Sequence, residues 1–419
     1  MSTHSNNRIL HIPRRFSLDE WGGTEAVIKN ICLAQSDMGM RPEIHTSLAL
    51  SKTKSEQMGG VPIFRYPYCY PFLGLDQTAI LQLDKKGGNL LSWSLYRALR
   101  RAKNVRIFHA HVTKRTGASV LKAAQLAKRP CVVTLHGNMF DVPESEAADV
   151  VAPQQGHFEW GKLFGAYFGS RNLLENVDAI LCVGYSEYIK ASAALGKDRV
   201  HFLPNGVHSE RLKALPGERE KTRAELGFTD ESFLIGCISR IDPQKNQALL
   251  IKAFCELAAK DSKLGLIICG PKTNDVYYQK LVTQIEQSAY SDRIRLRPPV
   301  EPDSPAHRGL FAALDCFTLP SRHEPFGIVV LEAWAAGCPV IASNVGGLQK
   351  LIHHNTNGLH FESGDVNGLV VQIKRMREDE HFRQQSVSAG QKDIAENYTW
   401  SQVCNQLENI YQSVEAKYT

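Results

Sequence analysis

Several common signatures are missing from this sequence of 419 residues, and each absence excludes a class of protein. No apolar run reaches the roughly 18–20 residues that a bilayer-spanning helix needs, and the start of the chain lacks the apolar core of a secretory signal. No CxxC pair occurs among the 10 cysteines, which excludes a zinc ribbon and a dithiol redox motif. The sequence therefore predicts a cytoplasmic protein whose thiols are buried and reduced.

Two further absences concern cofactors. The sequence has no GxGxxG, so a nicotinamide or flavin cofactor lacks its fingerprint. It also has no D-x-D, although magnesium held by acidic residues is the usual neutraliser of a diphosphate leaving group. We therefore expect neither a cofactor nor a metal, so that basic side chains and helix ends must neutralise any bound diphosphate.

Acidic residues are also absent from the stretch Lys85 to Phe140, which holds twelve Lys and Arg residues. Residues 1–209 carry 25 basic against 17 acidic residues, a balance of +8, whereas residues 210–419 have a balance of −2. No helix-turn-helix, RNP pattern or zinc finger accompanies the basic stretch, so a nucleic acid is not the predicted partner. An anionic lipid surface or a phosphorylated acceptor fits better.

The densest part of this stretch, Asn89–Lys103, has the pattern of a basic amphipathic helix. Trp93 and Tyr96 favour contact with an anionic membrane, which would make the protein peripheral on the inner face of the cytoplasmic membrane. The alternative is an ordinary sheet-covering helix with a solvated basic face. The pattern leaves both interpretations open.

Short β-rich runs alternate with helical patterns along the whole chain, which predicts an α/β fold with parallel sheets. The strand candidates are Arg8–Ile12, Glu43–Thr46, Ile107–Ala110, Cys131–Leu135 and Ala179–Val183, and then Phe233–Ile238, Leu264–Cys269, Ile294–Leu296, Cys316–Leu319 and Pro339–Ala342. We predict two doubly wound, Rossmann-like domains, residues 1–208 and 209–397, facing each other across a cleft that holds the site. The last helix, near Trp400–Val414, could pack on either domain.

Two carboxylates mark the segment PSRHEPFGIVVLEAWAAGCP. Pro325 keeps Glu324 in a loop, and Glu332 falls on the second turn of the helix that follows, on the order of 10 Å away. That separation suits opposite ends of one elongated ligand. The structural alternative is that Glu324 is a helix-entry carboxylate and Glu332 a solvated side chain. The apolar neighbours of Glu332, however, predict that its carboxylate needs a partner.

Three features nearby predict an anion site. The amides of Phe326, Gly327 and Ile328 present the positive end of that helix. Arg240 and Lys245 follow the strand FLIGCIS in SRIDPQKN and can converge on a diphosphate. Two loop cations alone are usually just solvated, but beside the carboxylates they indicate a binding site.

The first half offers two further candidate motifs. In WGGTE, Gly22 and Gly23 permit close approach of backbone to a phosphate or sugar. In TLHG, His136 lies at a strand end that should face the cleft, a position more typical of a functional histidine than of a core one. His109 and His111 have a metal-binding spacing, but no acidic or cysteine ligand accompanies them, and we predict no metal.

These motifs, in this order, resemble those of the retaining nucleotide-sugar glycosyltransferases of family 4, which have the GT-B fold. WGGTE matches the family's glycine loop, TLHG its cleft histidine, PNGVH its hinge and SRIDPQKN its Arg/Lys pair. CGP, which contains Gly270, matches its glycine turn, and LDCFTLPSRHEPFGIVVLEAWAAGCPVIAS with Val345-Gly346-Gly347 matches its E-x7-E signature and donor loop. The resemblance spans almost the whole chain.

The resemblance implies roles for the candidate residues. The second domain would bind the donor, with Glu332 on the ribose hydroxyls and Glu324 on the transferred sugar. Arg240 and Lys245 would hold the diphosphate, and Gly270, Phe326, Gly327 and Ile328 would line the donor site. The first domain, on the acceptor side, would contribute Gly22 and Gly23 to donor binding, with Gly23 closing over the diphosphate, and His136 near the reacting carbon. The last helix, about residues 398–419, would cross back to it.

The implied activity is metal-independent transfer of a hexose to a glycan, lipid-linked or small-molecule acceptor, in cell-surface polysaccharide or glycoconjugate biosynthesis. A nucleotide-sugar epimerase on the same fold and a non-catalytic sugar-nucleotide-binding protein are the alternatives. Lys350 stands where the family often has glutamate and Pro298 where it has glycine. Because the Pro298 loop lies near the base in related folds, the resemblance does not identify the nucleotide.

Overall fold

The computed structural model describes residues 7–18, 22–137, 139–140 and 154–418. The chain divides into two compact units. One comprises the described residues up to Pro204 together with those from Val403 onward, and the other comprises Asn205–Gln402. The sequence placed the corresponding boundary at residue 208 and the start of the returning helix at about residue 398.

The first unit is built on one sheet whose strands pair in the order β3-β4-β2-β1-β5-β6-β7-β8. The strands are β1 Arg8–Ile12, β2 Arg41–Ser47, β3 Ser55–Met58, β4 Val61–Tyr66, β5 Val105–Ala110, β6 Cys131–Leu135, β7 Ala179–Cys182 and β8 Val200–Phe202. All pairs are parallel except the antiparallel pair of β3 with β4. Its helices are α1 Gly23–Asp37, α2 Gln77–Lys86, α3 Trp93–Arg101, α4 Lys114–Ala127, α5 Lys162–Phe168, α6 Leu173–Asn176 and α7 Tyr185–Leu195.

The second unit has a wholly parallel sheet in the order β11-β10-β9-β12-β13-β14. Its strands are β9 Phe233–Ile238, β10 Leu264–Cys269, β11 Ile294–Arg297, β12 Cys316–Leu319, β13 Val340–Ser343 and β14 Leu359–Phe361. Its helices are α8 Ser209–Leu212, α9 Glu218–Glu225, α10 Gln247–Ala258, α11 Asp275–Glu286, α12 Pro305–Ala313, α13 Ile328–Ala335, α14 Leu348–Leu351, α15 Val366–Glu378 and α16 Glu380–Asp393. The predicted α/β class with two doubly wound, mostly parallel sheets is confirmed.

The two faces of the first sheet bury different kinds of side chain. Leu10 and Phe108 belong to the apolar cluster that includes residues of α3 and α4. Because successive side chains of a strand point to opposite faces, His11 and His109 lie on the other face. There His11 meets Gln35 of α1, and His109 meets the last helix, α17 Trp400–Glu415. The sheet thus carries buried imidazoles beneath two helices.

An ion-pair network attaches α17 to the first sheet. Arg106 of β5 donates to Glu408 at 2.6 and 3.0 Å and to Glu415 at 2.7 and 2.8 Å. The Arg106 side chain is only 11% exposed, and these bonds raise the pKa of its guanidinium although burial alone would lower it. A cation bonded to two carboxylates at this depth fixes the helix on the sheet.

The structure corrects several sequence-based expectations. The sequence missed β3, β4, β8 and β14, and the antiparallel β3 makes the first sheet mixed. The basic helix is shorter than Asn89–Lys103, because it begins at Trp93 and ends at Arg101. Tyr96 is not a surface aromatic: it is 1% exposed and packs in the core.

The described residues bear on two expectations, one about membrane-spanning helices and one about the cysteines. Within those ranges, no helix combines the length and the apolarity that a membrane span requires. All ten cysteines are free thiols, of which Cys69 is exposed and Cys255 half-buried while the others are buried.

We expect Arg106→Met to lower the free energy of unfolding by about 2–4 kcal/mol, because it leaves two partly buried carboxylates without their cation. Urea denaturation followed by circular dichroism measures this. The control is Lys213→Met, which breaks an exposed pair with Glu210 and should cost less than about 0.5 kcal/mol. Equal unfolding midpoints for Arg106→Met and the wild type would show that α17 does not depend on this network.

Candidate active site

Three loops of the second unit lie close together because they follow β9, β12 and β13, which are neighbours in a parallel sheet. The carboxyl ends of parallel strands lie at one edge, where α/β proteins bind ligands. The first two loops are joined directly: the Arg322 amide donates to the Gln244 carbonyl at 2.7 Å, and Gln244 Nε2 donates to the His323 carbonyl at 3.1 Å. Residues from both loops therefore keep a fixed spacing.

Lys245 and Glu324 form an ion pair between these two loops, with Nζ donating to Oε2. Their side chains are 11% and 10% exposed. Either charge alone would be costly at that depth, so each requires the other. An ammonium group has three N–H donors, and the pair with Glu324 uses one. The arrangement leaves Lys245 able to donate to an anion that approaches its remaining face.

Arg240 is the exposed cation of the same loop, with 53% of its side chain accessible. It donates to Gln244 Oε1 at 3.1 Å and lies 3.6 Å from Asp242 Oδ2. Asp242 shapes the turn, since its Oδ1 accepts from the amides of Gln244 and Lys245 at 2.9 and 3.3 Å. A guanidinium with such weak restraints can turn towards a diphosphate at little cost.

Two glycines permit close approach of the loops. A β-carbon on Gly347 would lie 2.1 Å from the Pro325 carbonyl oxygen, so only glycine allows its amide to donate to the Glu324 carbonyl at 2.8 Å. Gly270 has φ +154°, and a β-carbon there would lie 1.9 Å from the Ser239 carbonyl oxygen. Both positions are thus restricted to glycine by backbone contact.

The helix α13 begins directly after Gly327, so its first turn starts at Ile328 beside this edge. Phe326 is buried, with its ring 6.1 Å from that of Tyr398, and it contributes packing rather than an exposed surface. The amides of the first helical turn have no acceptor within the helix. Anion binding by the amides of Phe326, Gly327 and Ile328 stays a prediction.

Glu332 lies on α13, and its carboxylate Oε2 is 3.8 Å from His307 Nε2 of α12. At 3.8 Å this is a contact and not a hydrogen bond, so His307 lies beside the carboxylate without pairing with it. Burial, together with the negative charge of Asp303, raises the pKa of Glu332 from 4.5 to about 7. Burial also lowers the pKa of His307. With 22% of its side chain accessible, Glu332 can still meet a ligand.

His136 follows β6 in the first unit and is half-buried. The backbone beyond it is held by Glu187 of α7, which accepts from the amides of Gly137 at 2.9 Å and Met139 at 3.1 Å. Burial lowers the pKa of His136 to about 4, so its imidazole is neutral near pH 7. A neutral, half-buried imidazole at a strand end can accept or donate one hydrogen bond to a sugar hydroxyl.

Three more histidines lie behind His136, and the sequence identified only two of them as candidates. One ring nitrogen from each of His11, His109 and His111 lies within 4.8 Å of the other two, which is close enough for a metal site. Every one of these nitrogens already has a hydrogen-bond partner at 2.6–3.2 Å. A metal would have to displace those bonds, so the donor set fits a hydrogen-bonded network better.

Gly22 and Gly23 stand at the start of α1 in the first unit, where Gly22 is the N-cap. A β-carbon on Gly23 would meet no atom of the described residues within 4 Å. A β-carbon on Gly22 would lie 2.7 Å from Glu25 Oε2. Trp21 of the same motif lies outside the described residues.

The structure thus brings Arg240, Lys245, Gly270, Glu324, Phe326, Gly327, Ile328 and Glu332 to the second unit, and Gly22, Gly23 and His136 to the first. Sequence reasoning missed Gln35, His307 and Glu187, which are buried polar residues on helices. Each is a single polar residue with no motif around it, so the sequence has no signal for them, and only their burial in the structure identifies them. Chemically, the second unit offers fixed cations and amides for an anion, and the first unit offers a neutral imidazole.

Comparison with known families gives a match for each half of the chain. Residues 21–211 match the family described as Glycosyltransferase Family 4, and residues 218–393 match the family described as Glycosyl transferases group 1.

Two relatives illustrate the similarity. A GDP-mannose-dependent monoacylated alpha-(1-6)-phosphatidylinositol monomannoside mannosyltransferase of Corynebacterium glutamicum is 30% identical over 281 residues, which are 64% of this chain and 71% of that protein. A D-inositol 3-phosphate glycosyltransferase of Rhodococcus opacus is 30% identical over 225 residues, which are 53% of this chain and 49% of that protein. The second match therefore spans about half the length of that relative.

Solved structures share the fold along nearly the whole chain. Anabaena HepE, solved with UDP and glucose, has a TM-score of 0.71 at 21% identity. The match covers 97% of this chain and 99% of that one. A glycosyltransferase of Rickettsia africae has a TM-score of 0.73 at 16% identity, covering 97% of this chain and 98% of that one.

We expect Glu332→Gln to stabilise the protein above pH 7. The raised pKa means that folding keeps a proton which the unfolded chain releases near pH 4.5, so the wild type loses stability as the pH rises from 4.5 to 7. Glutamine removes that loss, and its advantage should grow by about 1–3 kcal/mol between pH 5 and pH 8. Urea unfolding of both proteins across this range measures the difference, in which other titrating groups cancel. A constant difference would contradict the raised pKa.

Proposed function

Because the chain belongs to the family 4 glycosyltransferases and has their GT-B fold, we propose that it transfers a sugar from a nucleoside-diphosphate sugar to an acceptor hydroxyl with retention of anomeric configuration. The observation that carries the proposal is the buried Lys245–Glu324 pair beside the exposed guanidinium of Arg240. It combines a carboxylate for sugar hydroxyls with cations for a diphosphate at one sheet edge. That combination suits a donor in which the sugar and the diphosphate are directly linked.

In the proposed reaction, the bond between the anomeric carbon and the donor phosphate oxygen breaks while the acceptor oxygen bonds to the same face of that carbon. The departing phosphate oxygen takes the proton of the acceptor hydroxyl, so no protein nucleophile is required. Lys245, Arg240 and the amides at the start of α13 stabilise the negative charge that develops on the diphosphate. These groups take the place of a metal ion in the proposal.

Each carboxylate has its own task in this proposal. Glu324, oriented by Lys245 and by the amide of Gly347, accepts from hydroxyls of the transferred sugar. Glu332 accepts from the ribose hydroxyls, and its raised pKa supports a site that gains from such donors because they favour the ionised form. His136 meets a hydroxyl near the reacting carbon.

The acceptor side is proposed to be a glycan, a lipid-linked sugar or a small polyol, in cell-surface polysaccharide or glycoconjugate biosynthesis. The basic balance of residues 1–209 supports an acceptor that carries phosphate, and two relatives act, by their names, on phosphorylated inositol compounds. Relatives and neighbours name both GDP-mannose and UDP, so the nucleotide is best found by thermal shift with both classes of donor. Product that forms only with added acceptor separates transfer from epimerisation of the donor alone.

We propose that the surface around α3 contacts anionic lipid. Trp93 is 44% exposed, and Leu163 and Tyr167 of α5, beside it, are 79% and 50% exposed. Arg97 and Arg101 are exposed on the same helix, and neither pairs with an acid among the described residues. Apolar and aromatic side chains flanked by unpaired cations are typical of a surface that lies in a membrane interface.

We expect Arg240→Ala and Lys245→Ala each to lower acceptor-dependent turnover by on the order of 10²-fold, because each removes a charge that stabilises the leaving diphosphate. Release of nucleoside diphosphate measures this. The control is Lys263→Ala, an exposed cation that precedes β10 at the opposite end of the strands. Normal turnover in Arg240→Ala would contradict the assignment, and so would loss of wild-type turnover on chelation, since a metal would then carry the charge.

We expect the triple change Arg97→Glu, Arg100→Glu and Arg101→Glu to weaken binding to phosphatidylglycerol vesicles by at least about 10²-fold, at roughly 1 kcal/mol for each basic residue near the surface. Sedimentation with vesicles measures this, and binding of the wild type should weaken with salt.

The matched control reverses three exposed lysines of the second unit, Lys252, Lys260 and Lys280, and so changes the net charge equally. Equal loss of binding in both variants would show a general charge effect and contradict a specific surface.

A further inference from the structure

A chain of hydrogen bonds runs from Gln35 of α1 to His136. Gln35 Oε1 lies 2.8 Å from His11 Nε2, and His11 Nδ1 lies 2.9 Å from His111 Nε2. His111 Nδ1 lies 3.2 Å from His136 Nε2. Gln35, His11 and His111 are 1%, 0% and 6% exposed, so only His136 is accessible to a substrate.

The number of ring protons decides which nitrogen donates in each hydrogen bond of this series. Burial lowers the pKa of His11 and His136 to about 4 and that of His111 well below its usual value, so each ring is neutral and carries one N–H. An amide oxygen only accepts, so His11 must donate from Nε2 and accept at Nδ1. His111 must then donate from Nε2 and accept at Nδ1. His136 in turn donates from Nε2, which leaves its Nδ1 without a proton.

A second branch begins on the other side of the Gln35 amide. Tyr411 of α17 adjoins this amide, and the contact opposes the rise that burial causes in the pKa of the phenol. The Tyr411 hydroxyl is 2.6 Å from His109 Nδ1, and His109 Nε2 is 2.6 Å from Thr134 Oγ1. These contacts are satisfied together when Tyr411 donates to His109 and His109 donates to Thr134. With Oε1 directed to His11, as in the structure, both branches are satisfied together.

We propose that Gln35 is a positioning residue: through His11 and His111 it fixes the tautomer of His136, which offers an unprotonated Nδ1 as acceptor for a substrate hydroxyl. Among the described residues, none forms a hydrogen bond with that nitrogen, so it is available. The tautomer is a property of the free protein, and only the step to a substrate hydroxyl rests on the proposed function. If the tautomer of His136 were not fixed, Nδ1 would carry a proton in part of the molecules and could not accept a hydrogen bond there.

The direct test is nitrogen NMR of protein labelled with ¹⁵N in its histidine rings, where protonated and bare nitrogens resonate far apart. The His136 signals are assigned by their loss in His136→Asn. We expect a bare Nδ1 and a protonated Nε2 in the wild type. Gln35→Met keeps the length of the side chain but removes the acceptor, and we expect His136 to become a mixture of tautomers.

The matched control is Thr134→Val, which removes a partner of the same buried cluster on the branch that does not lead to His136. It should leave the His136 signals unchanged. A protonated Nδ1 in the wild type would overturn the proposal, and this measurement stands even if Gln35→Met fails to fold. Unchanged His136 signals in folded Gln35→Met, or equal changes in both variants, would also overturn it.

Kinetics test the last step. With donor and acceptor, Gln35→Met should lower kcat by roughly 5–10-fold with little change in KM for the donor, as expected when one hydrogen bond to the substrate is lost in most of the molecules. Thr134→Val should change kcat less than about 2-fold. The expected spectra with unchanged kcat in Gln35→Met would overturn the role of His136 in transfer, which belongs to the proposed function, and not the control of its tautomer.

Discussion

The ion pair between Lys245 and Glu324 is the interaction on which the candidate donor site depends. It joins the loop after β9 to the loop after β12, and these strands are adjacent in the sheet. Because both side chains are almost buried, the pair holds only if neither loop moves away. The contact of Gly347 with the backbone of Glu324 and Pro325 adds the loop after β13. Parallel topology, restricted glycines and one buried pair thus produce a rigid edge beside which the guanidinium of Arg240 is exposed.

The sequence predicted the central strands well because they are buried on both faces. FLIGCI of β9 and CVVTL of β6 are continuous apolar or β-branched runs, which are typical of parallel strands covered by helices on both sides. The strands it missed are short or lie near sheet edges. SEQM of β3 has one buried residue and forms an antiparallel edge, so nothing in its composition separates it from a loop. Edge strands are defined by pairing, which local sequence does not contain.

The candidate site divides in the same way. Lys245 and Glu324 could be predicted because each lies in a short motif after a strand, where the topology alone brings strand ends together. The neighbour of Glu332 could not be predicted, because His307 is one residue on a helix of another segment and approaches Glu332 only through packing. Tyr96 shows the converse: its aromatic character suggested a surface role, but α3 turns that face towards the core. The role of a residue that depends on its packing partners cannot be predicted from local sequence patterns.

The candidate site residues of the two units treat buried polar groups differently, and the proposed chemistry needs both. The second unit buries charge and neutralises it in pairs, which leaves spare donors for an anion. The first unit buries imidazoles that stay neutral, and it orders them by proton direction instead of charge. A protonated His136 would be another cation that attracts the diphosphate, whereas a neutral ring interacts with hydroxyls. In the proposed reaction, the uncharged chain from Gln35 to His136 therefore leaves neutralisation of the diphosphate to Lys245 and Arg240.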